Sequence, residues 1–150
     1  MKNILCTLIV LAAISAQSAD KKPVKVFILA GQSNMEGKGK VDPLLNHQIH
    51  APETKEFFAH LHKDGKYIDR EDVWINFLNR RGRLTVGFGS PGRIGPELEF
   101  GHVVGDHYEE PVLIIKTAWG GKSIGRDFRP PSSGLPPKEE LDEAVNNMVN

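Results

Sequence analysis

Val24-Lys25-Val26-Phe27-Ile28-Leu29-Ala30-Gly31-Gln32-Ser33-Asn34-Met35 is the stretch on which the fold turns. Its first seven residues form a β-branched, apolar run that Gly31 stops, the pattern of a central strand. Gly31-Gln32-Ser33 then lifts a hydroxyl onto a tight turn at the end of that strand. A serine nucleophile needs such exposure, and its own N–H must be free to help hold an oxyanion. The same residues would also suit an ordinary strand-to-helix cap, in which Ser33 or Asn34 only satisfies free amides.

Outward from this stretch the chain alternates strand, loop and helix. Asn34 to His62 shows no clean period, and a short helix is expected near Glu53–His62. Asp72–Leu78 and Leu84–Phe88 are β-rich and flank a polar turn at Asn79–Arg83, which predicts a hairpin insertion. Pro96 suits the first turn of a helix running to about His107, with Glu97 and Glu99 near its positive end. Pro111–Ala118 is an almost unbroken apolar strand, as in parallel sheets buried on both faces. Trp119–Pro137 reads as a long loop. From Lys138 a further helix is expected, with Leu141, Val145, Met148 and Val149 on one face; it is still running at Asn150, which points to the N-terminal part of a longer protein. The order predicts an α/β fold with a mostly parallel sheet. Ligands in such sheets sit beyond the carboxyl ends of the strands, which selects the loops Gly31–Lys40 and Trp119–Arg126.

Composition narrows the function classes. The 150 residues carry 19 Lys+Arg against 19 Asp+Glu, which argues against a dedicated nucleic-acid binder. Hydrophobic residues make up 39% and charged residues 25%, so the chain belongs to neither the disordered nor the fibrous class. A single Cys excludes a disulfide framework and any multi-cysteine metal site. Lys2, the apolar run Ile4–Ile14 and the small residues of 15–19 have the layout of a secretory signal peptide, cleaved after Ser18 or Ala19. The run is too short for a membrane span, which takes about 20 apolar residues. Residues 1–19 are therefore expected to be a leader, residues 20–150 the folded domain, and the location secreted or periplasmic. Oligomeric state has no signature in the sequence.

Three stretches together carry a resemblance. Phe27–Met35 with its Gly-Gln-Ser-Asn-Met, Gly92-Arg93-Ile94-Gly95-Pro96-Glu97-Leu98-Glu99-Phe100-Gly101, and Lys116-Thr117-Ala118-Trp119-Gly120-Gly121-Lys122-Ser123 resemble, in order, the first three blocks of the SGNH-hydrolase superfamily. The likeness is to its sialate O-acetylesterase and acetylxylan-esterase branch. It implies a flavodoxin-like three-layer α/β/α sandwich and hydrolysis of O-acetyl groups on carbohydrate, with no metal or other cofactor. By position it makes Ser33 the nucleophile and the N–H groups of Ser33 and Gly95 oxyanion donors. Gln32 and Asn34 join them among the oxyanion and substrate-binding residues. The superfamily's third donor is an Asn side chain that this third block lacks, which leaves the Gly121 amide or the Ser123 hydroxyl.

A larger departure concerns the base. The superfamily takes it from Asp-x-x-His, and no Asp in this chain has His three residues later. The six His residues are 47, 50, 60, 62, 102 and 107. A serine without a base is a very weak nucleophile. Either the base lies in a further part of the protein, or a local imidazole such as His102 substitutes, or the chain is a carbohydrate-binding relative without catalysis.

Rival motifs fail on spacing. Gly87–Gly92 matches Gly-x-Gly-x-x-Gly, but Pro91 interrupts it and the next strand does not end in an acidic residue. Gly31–Gly39 misses the P-loop spacing. Arg80, Arg81, Arg83 and Arg93 read as a solvated basic turn. His47/His50 and His60/His62 lack a carboxylate or Cys to complete a metal pattern. Trp119 and Phe128 suit either core packing or stacking on a sugar ring.

Overall fold

Parallel pairing of the two apolar runs organises the molecule. The computed structural model describes residues 22–135, 138, 139 and 142. Strand β1 (Lys25–Gly31) is followed by a one-turn helix α1 (Ser33–Glu36) and a short strand β2 (Gly39–Lys40). A single π-type turn at Val41–Leu45 leads into α2 (Asn46–His50), and a 3₁₀ turn at Ala59–Leu61 into the small hairpin β3 (His62–Lys63) and β4 (Lys66–Tyr67). Then come β5 (Val73–Phe77), β6 (Arg80–Arg83), β7 (Arg93–Ile94), α3 (Pro96–His107) and β8 (Val112–Ala118).

The main sheet has the order β1-β8-β5-β6. β8 lies between β1 and β5 and is parallel to both, with Gly31 opposite Ala118 and Phe77 opposite Lys116. Only β6, at the edge, is antiparallel. This is a mixed sheet with helices, an α/β fold.

One face of the sheet holds the core. Val73, Ile75, Val112 and Ile114, with Leu29 from β1 and Leu84 from the following loop, pack as one buried cluster beneath α3. A second cluster, Leu45, Ile49, Leu61 and Leu98, fills the far side of α3 against the 41–67 segment. The approach of α3 to the sheet depends on Gly101 and Gly105, one helical turn apart on the same face. A Cβ on Gly101 would overlap Leu84 Cδ2 and stand 3.1 Å from Ile114 Cδ1, and one on Gly105 would stand 2.6 Å from Val73 Cγ2. Arg70 ties the helix down at this end, bonding Asp72 at 2.7 Å and Asp106 at 2.6 Å.

The opposite face is bare among the described residues. Val26, Ile28 and Trp74 are exposed there, while Leu113 and Ile115 are half-buried. The expected burial of the 111–118 strand thus holds on the α3 face and only in part on the other.

Two local expectations are corrected. The hairpin exists, but its second strand is Arg80–Arg83 and not Leu84–Phe88, and its turn is Leu78-Asn79, with Leu78 at φ 54°. Register with Val73–Phe77 overrides composition, and an edge strand tolerates an Arg-Arg-Gly-Arg sequence because charge protects the edge. The hairpin is no insertion either, because β5 is a central strand of the main sheet. The helix expected near Glu53–His62 is a string of turns. Thr54 N–H bonds the Ala51 carbonyl, Lys55 the same carbonyl and Phe57 that of Thr54, a mixture that never settles into one helical register. Pro52 disfavours the helical region for Ala51 and so ends α2 there. Lys138, Glu139 and Asp142 are helical; the rest of the expected C-terminal helix, and the 1–19 leader, lie outside the described residues. No helix among the described residues is long and apolar enough to cross a membrane.

Gly101→Ala should destabilise the fold by about 1–3 kcal/mol, because the added methyl meets a packed core instead of open space. Urea unfolding followed by tryptophan fluorescence measures it; an unchanged midpoint would show that α3 can move off the sheet without loss.

Candidate active site

The carboxyl ends of β1 and β8 lie side by side, so the turn after each strand opens at the same edge of the sheet. Trp119 N–H donates to the Gly31 carbonyl at 3.3 Å and joins the two turns. Ser33, half-buried, opens α1 directly after β1. The helix is a single closed turn: Glu36 N–H bonds the Gln32 carbonyl at 2.8 Å and Gly37 N–H the Ser33 carbonyl at 3.1 Å. Gln32 caps it, and its side-chain Oε1 accepts from both Ser33 N–H at 3.0 Å and Ser33 Oγ at 2.8 Å.

The 92–101 segment meets this turn through bare backbone. Gly37 has φ +89°, and a Cβ there would overlap Gly95 Cα. A Cβ on Gly95 would lie 2.7 Å from Gly37 Cα. Both positions exclude any side chain. Gly95 is the N-cap of α3, and its N–H donates to Glu97 Oε1 at 2.9 Å.

Glu97 has a role that its position near a helix start does not announce. Its side chain and that of Lys116 have no exposed area, and Oε2 meets Nζ at 2.5 Å. The same ammonium donates to the Glu36 carbonyl at 2.8 Å and the Phe88 carbonyl at 2.9 Å. Phe77 covers it, with the ring centroid 4.7 Å away. Burial pushes the Lys116 ammonium below the usual lysine range, and the Glu97 carboxylate opposes that shift. Glu99, by contrast, is exposed and bonds His60 at 2.8 Å.

Above this pair, Ser90 Oγ donates to Glu36 Oε1 at 2.7 Å, and Lys38 Nζ reaches Glu36 Oε2 at 2.9 Å and Ser90 Oγ at 2.7 Å. Ser90 N–H bonds the Gly37 carbonyl at 3.0 Å. A Cβ on Gly120 would stand 3.2 Å from Glu36 Oε2, so the loop after β8 closes over the same carboxylate.

Of the residues singled out by sequence, Gln32, Ser33 and Gly95 gather at this edge. Asn34 is exposed beside them. Gly121 has φ +72°, and Ser123 heads a turn of its own. Ser123 N–H donates to Asp127 Oδ2 at 2.9 Å, and Ser123 Oγ accepts from Arg126 N–H at 3.1 Å. The Ser123 N–H, Lys122 and Arg126 hold the Asp127 carboxyl well below the usual range. Trp119 and Phe128 pair in this loop with centroids 6.0 Å apart, outside both core clusters.

No imidazole hydrogen-bonds Ser33 among the described residues. His102 is 3% exposed and its ring meets that of His60 edge to face with centroids 5.2 Å apart, with Nε2 unpartnered among the described residues. Burial, and next the Arg70 charge, push it below the usual histidine range. Among the described residues no three His, Cys, Asp or Glu side chains group as metal ligands.

Sequence reasoning passed over Lys116, Ser90, Lys38 and Glu36. The signal for Lys116 was available: Val112, Ile114, Lys116 and Ala118 alternate onto one face, and a charge in that series must be buried and paired.

The Ser90 hydroxyl, and next the Lys38 ammonium, lower the Glu36 pKa. A depressed carboxyl contributes stability that is complete above its unfolded value and is lost as pH falls through the native one. Glu36→Gln should therefore lower the urea midpoint near neutrality, and the gap to the wild type should close as the acid limb is descended. A gap of constant size across pH would remove Glu36 ionisation from the account.

The three blocks quoted from the sequence therefore meet at one edge of the sheet. The family model described as SASA, carbohydrate esterase, sialic acid-specific acetylesterase, matches residues 23–149 and so covers all three. No curated protein and no solved structure matches the chain. The match spans well over half the sequence, and the chain belongs to the sialic acid-specific acetylesterase family of carbohydrate esterases.

Proposed function

We propose that the protein removes O-acetyl groups from carbohydrate with Ser33 as nucleophile. The observation that carries this is the convergence of the Ser33 turn, the Gly95 cap and the Trp119–Gly121 loop at the carboxyl ends of two parallel strands. Ser33 Oγ attacks the acetyl carbonyl carbon while its proton passes to an imidazole, which a further part of the protein would supply, since none of the six His residues here hydrogen-bonds Ser33. The carbonyl oxygen becomes an oxyanion, which collapses as the imidazolium gives that proton to the leaving sugar oxygen; water, deprotonated by the same imidazole, then attacks the acetyl-serine, and acetate leaves as the proton returns to Ser33 Oγ. Ser33 N–H is the donor nearest the reacting carbon, and it becomes available when the exposed Gln32 side chain turns aside. Gly95 N–H serves the oxyanion only by sharing it with Glu97 Oε1. The Gly121 amide or the Ser123 hydroxyl completes the set, and Asn34 lines the entrance for substrate.

A second reading has one observation in its favour: no described imidazole reaches Ser33. On that reading the protein binds acetylated carbohydrate without hydrolysing it. Export belongs to the proposal as well, since an extracellular esterase meets acetylated polymers and glycans directly. So does a third layer over Val26, Ile28 and Trp74, which would complete the sandwich.

In the full-length product, Ser33→Ala should leave the unfolding midpoint in place and lower acetyl-ester turnover by about three orders of magnitude or more. Hydrolysis of an aryl acetate at the wild-type rate by this variant would dismiss Ser33, and saturable binding of acetylated sugar with no turnover by the wild type would favour the second reading. N-terminal sequencing of exported protein should begin between Ala16 and Lys21; an intact Met1 would dismiss the leader.

A further inference from the structure

The esterase reading leaves unused the most thoroughly buried charged groups of the described fold. We infer that Lys116 and Glu97 are the positioning residues of the nucleophile turn, an inference that rests on that reading. An ammonium has three protons to donate, and Lys116 Nζ has three acceptors: the Glu36 carbonyl at 2.8 Å, the Phe88 carbonyl at 2.9 Å and Glu97 Oε2 at 2.5 Å. These come from the end of α1, the loop before β7 and the first turn of α3, segments that the short β2–β7 pairing and the Ser90 N–H bond to the Gly37 carbonyl also draw together. Glu97 passes the constraint on, because its other oxygen holds Gly95 N–H at 2.9 Å.

Stability alone does not account for this arrangement. Removing two charges from water is costly, and well-packed apolar side chains often replace such a pair with no loss of stability. What apolar side chains cannot do is grip a main-chain carbonyl. That grip matters at α1, whose single turn cannot be stable by itself in water. Its first residue is Ser33, and its last carbonyl is the one Lys116 holds. The direction of the Ser33 hydroxyl is thus set from below by an ammonium on the neighbouring strand. A misplacement of about 1 Å at a reacting group can lower turnover by about a hundredfold.

The test is the paired replacement Lys116→Met with Glu97→Leu in the full-length protein, beside Glu97→Gln alone, which keeps an oxygen for Gly95 N–H and leaves Lys116 only its two main-chain carbonyls, because the amide NH2 would face the ammonium. With the double variant folded, kcat on an aryl acetate should fall about a hundredfold with KM little changed. Glu97→Gln should recover part of that loss. Wild-type kcat in the folded double variant, or a loss carried wholly by KM, would overturn the inference. If the double variant does not fold, Glu97→Gln decides by the same split of kcat from KM.

Amide hydrogen exchange on the same proteins separates this inference from the esterase reading. Should the wild type hydrolyse no ester, that reading fails and exchange alone decides. Loss of protection at Glu36 and Gly37 in a folded variant, with Ile75 and Ile114 still protected, supports positioning. Unchanged protection at Glu36 and Gly37 overturns it.

Discussion

The Lys116 ammonium is the constraint around which the candidate site is built. It lies on the buried face of the strand that the other two parallel strands flank, and it is sealed from water by Phe77 and Glu97. A buried charge must have its hydrogen bonds met in full. The three acceptors therefore have to come to it, and two of them are main-chain carbonyls of segments far apart in sequence. Glu36 and Phe88 could satisfy their carbonyls with water in many arrangements, whereas Lys116 Nζ accepts only this one.

Close backbone approach is the complement of that constraint. The turn after β1 and the start of α3 can both reach the ammonium because Gly37 and Gly95 touch without side chains between them. A positive φ at Gly37 adds a second reason for glycine there. Gly101 and Gly105 do the same for the body of α3, letting the helix sit low enough for Glu97 to reach across to β8. Each interior glycine costs the helix about 1 kcal/mol in propensity. That cost is offset by the packing of Leu84, Ile114 and Val73 against it.

Periodicity made β1, β8 and α3 legible, because apolar runs and a Pro-initiated helix are local signals, whereas β5 read as a strand but not as a member of the main sheet. The Ser33 turn was legible for the same reason. The Arg80–Arg83 strand was not, since its pairing comes from its partner and its composition reads as a turn. The Glu53–His62 region failed because turns with mixed hydrogen-bond spacing imitate helix composition. Glu97 was visible as an acidic residue at a helix start, and the helix dipole is a sufficient reason for one. Only the fold shows that Glu97 faces inward to Lys116 and Glu99 outward to His60, since the two differ in side and not in chemistry.

The donors around Ser33 are held with unequal strength. Ser33 N–H is bonded to Gln32 Oε1, an exposed neutral amide on the adjacent residue, and such a bond exchanges readily with water. Gly95 N–H is bonded to Glu97 Oε1, a fully buried carboxylate whose other oxygen is fixed by Lys116. A charge-assisted bond in a low dielectric is the stronger of the two, and moving Glu97 would strand the Lys116 ammonium. Change at this edge of the sheet therefore falls to Gln32, while Gly95 and Glu97 stay as the rigid wall against which the Ser33 turn is set.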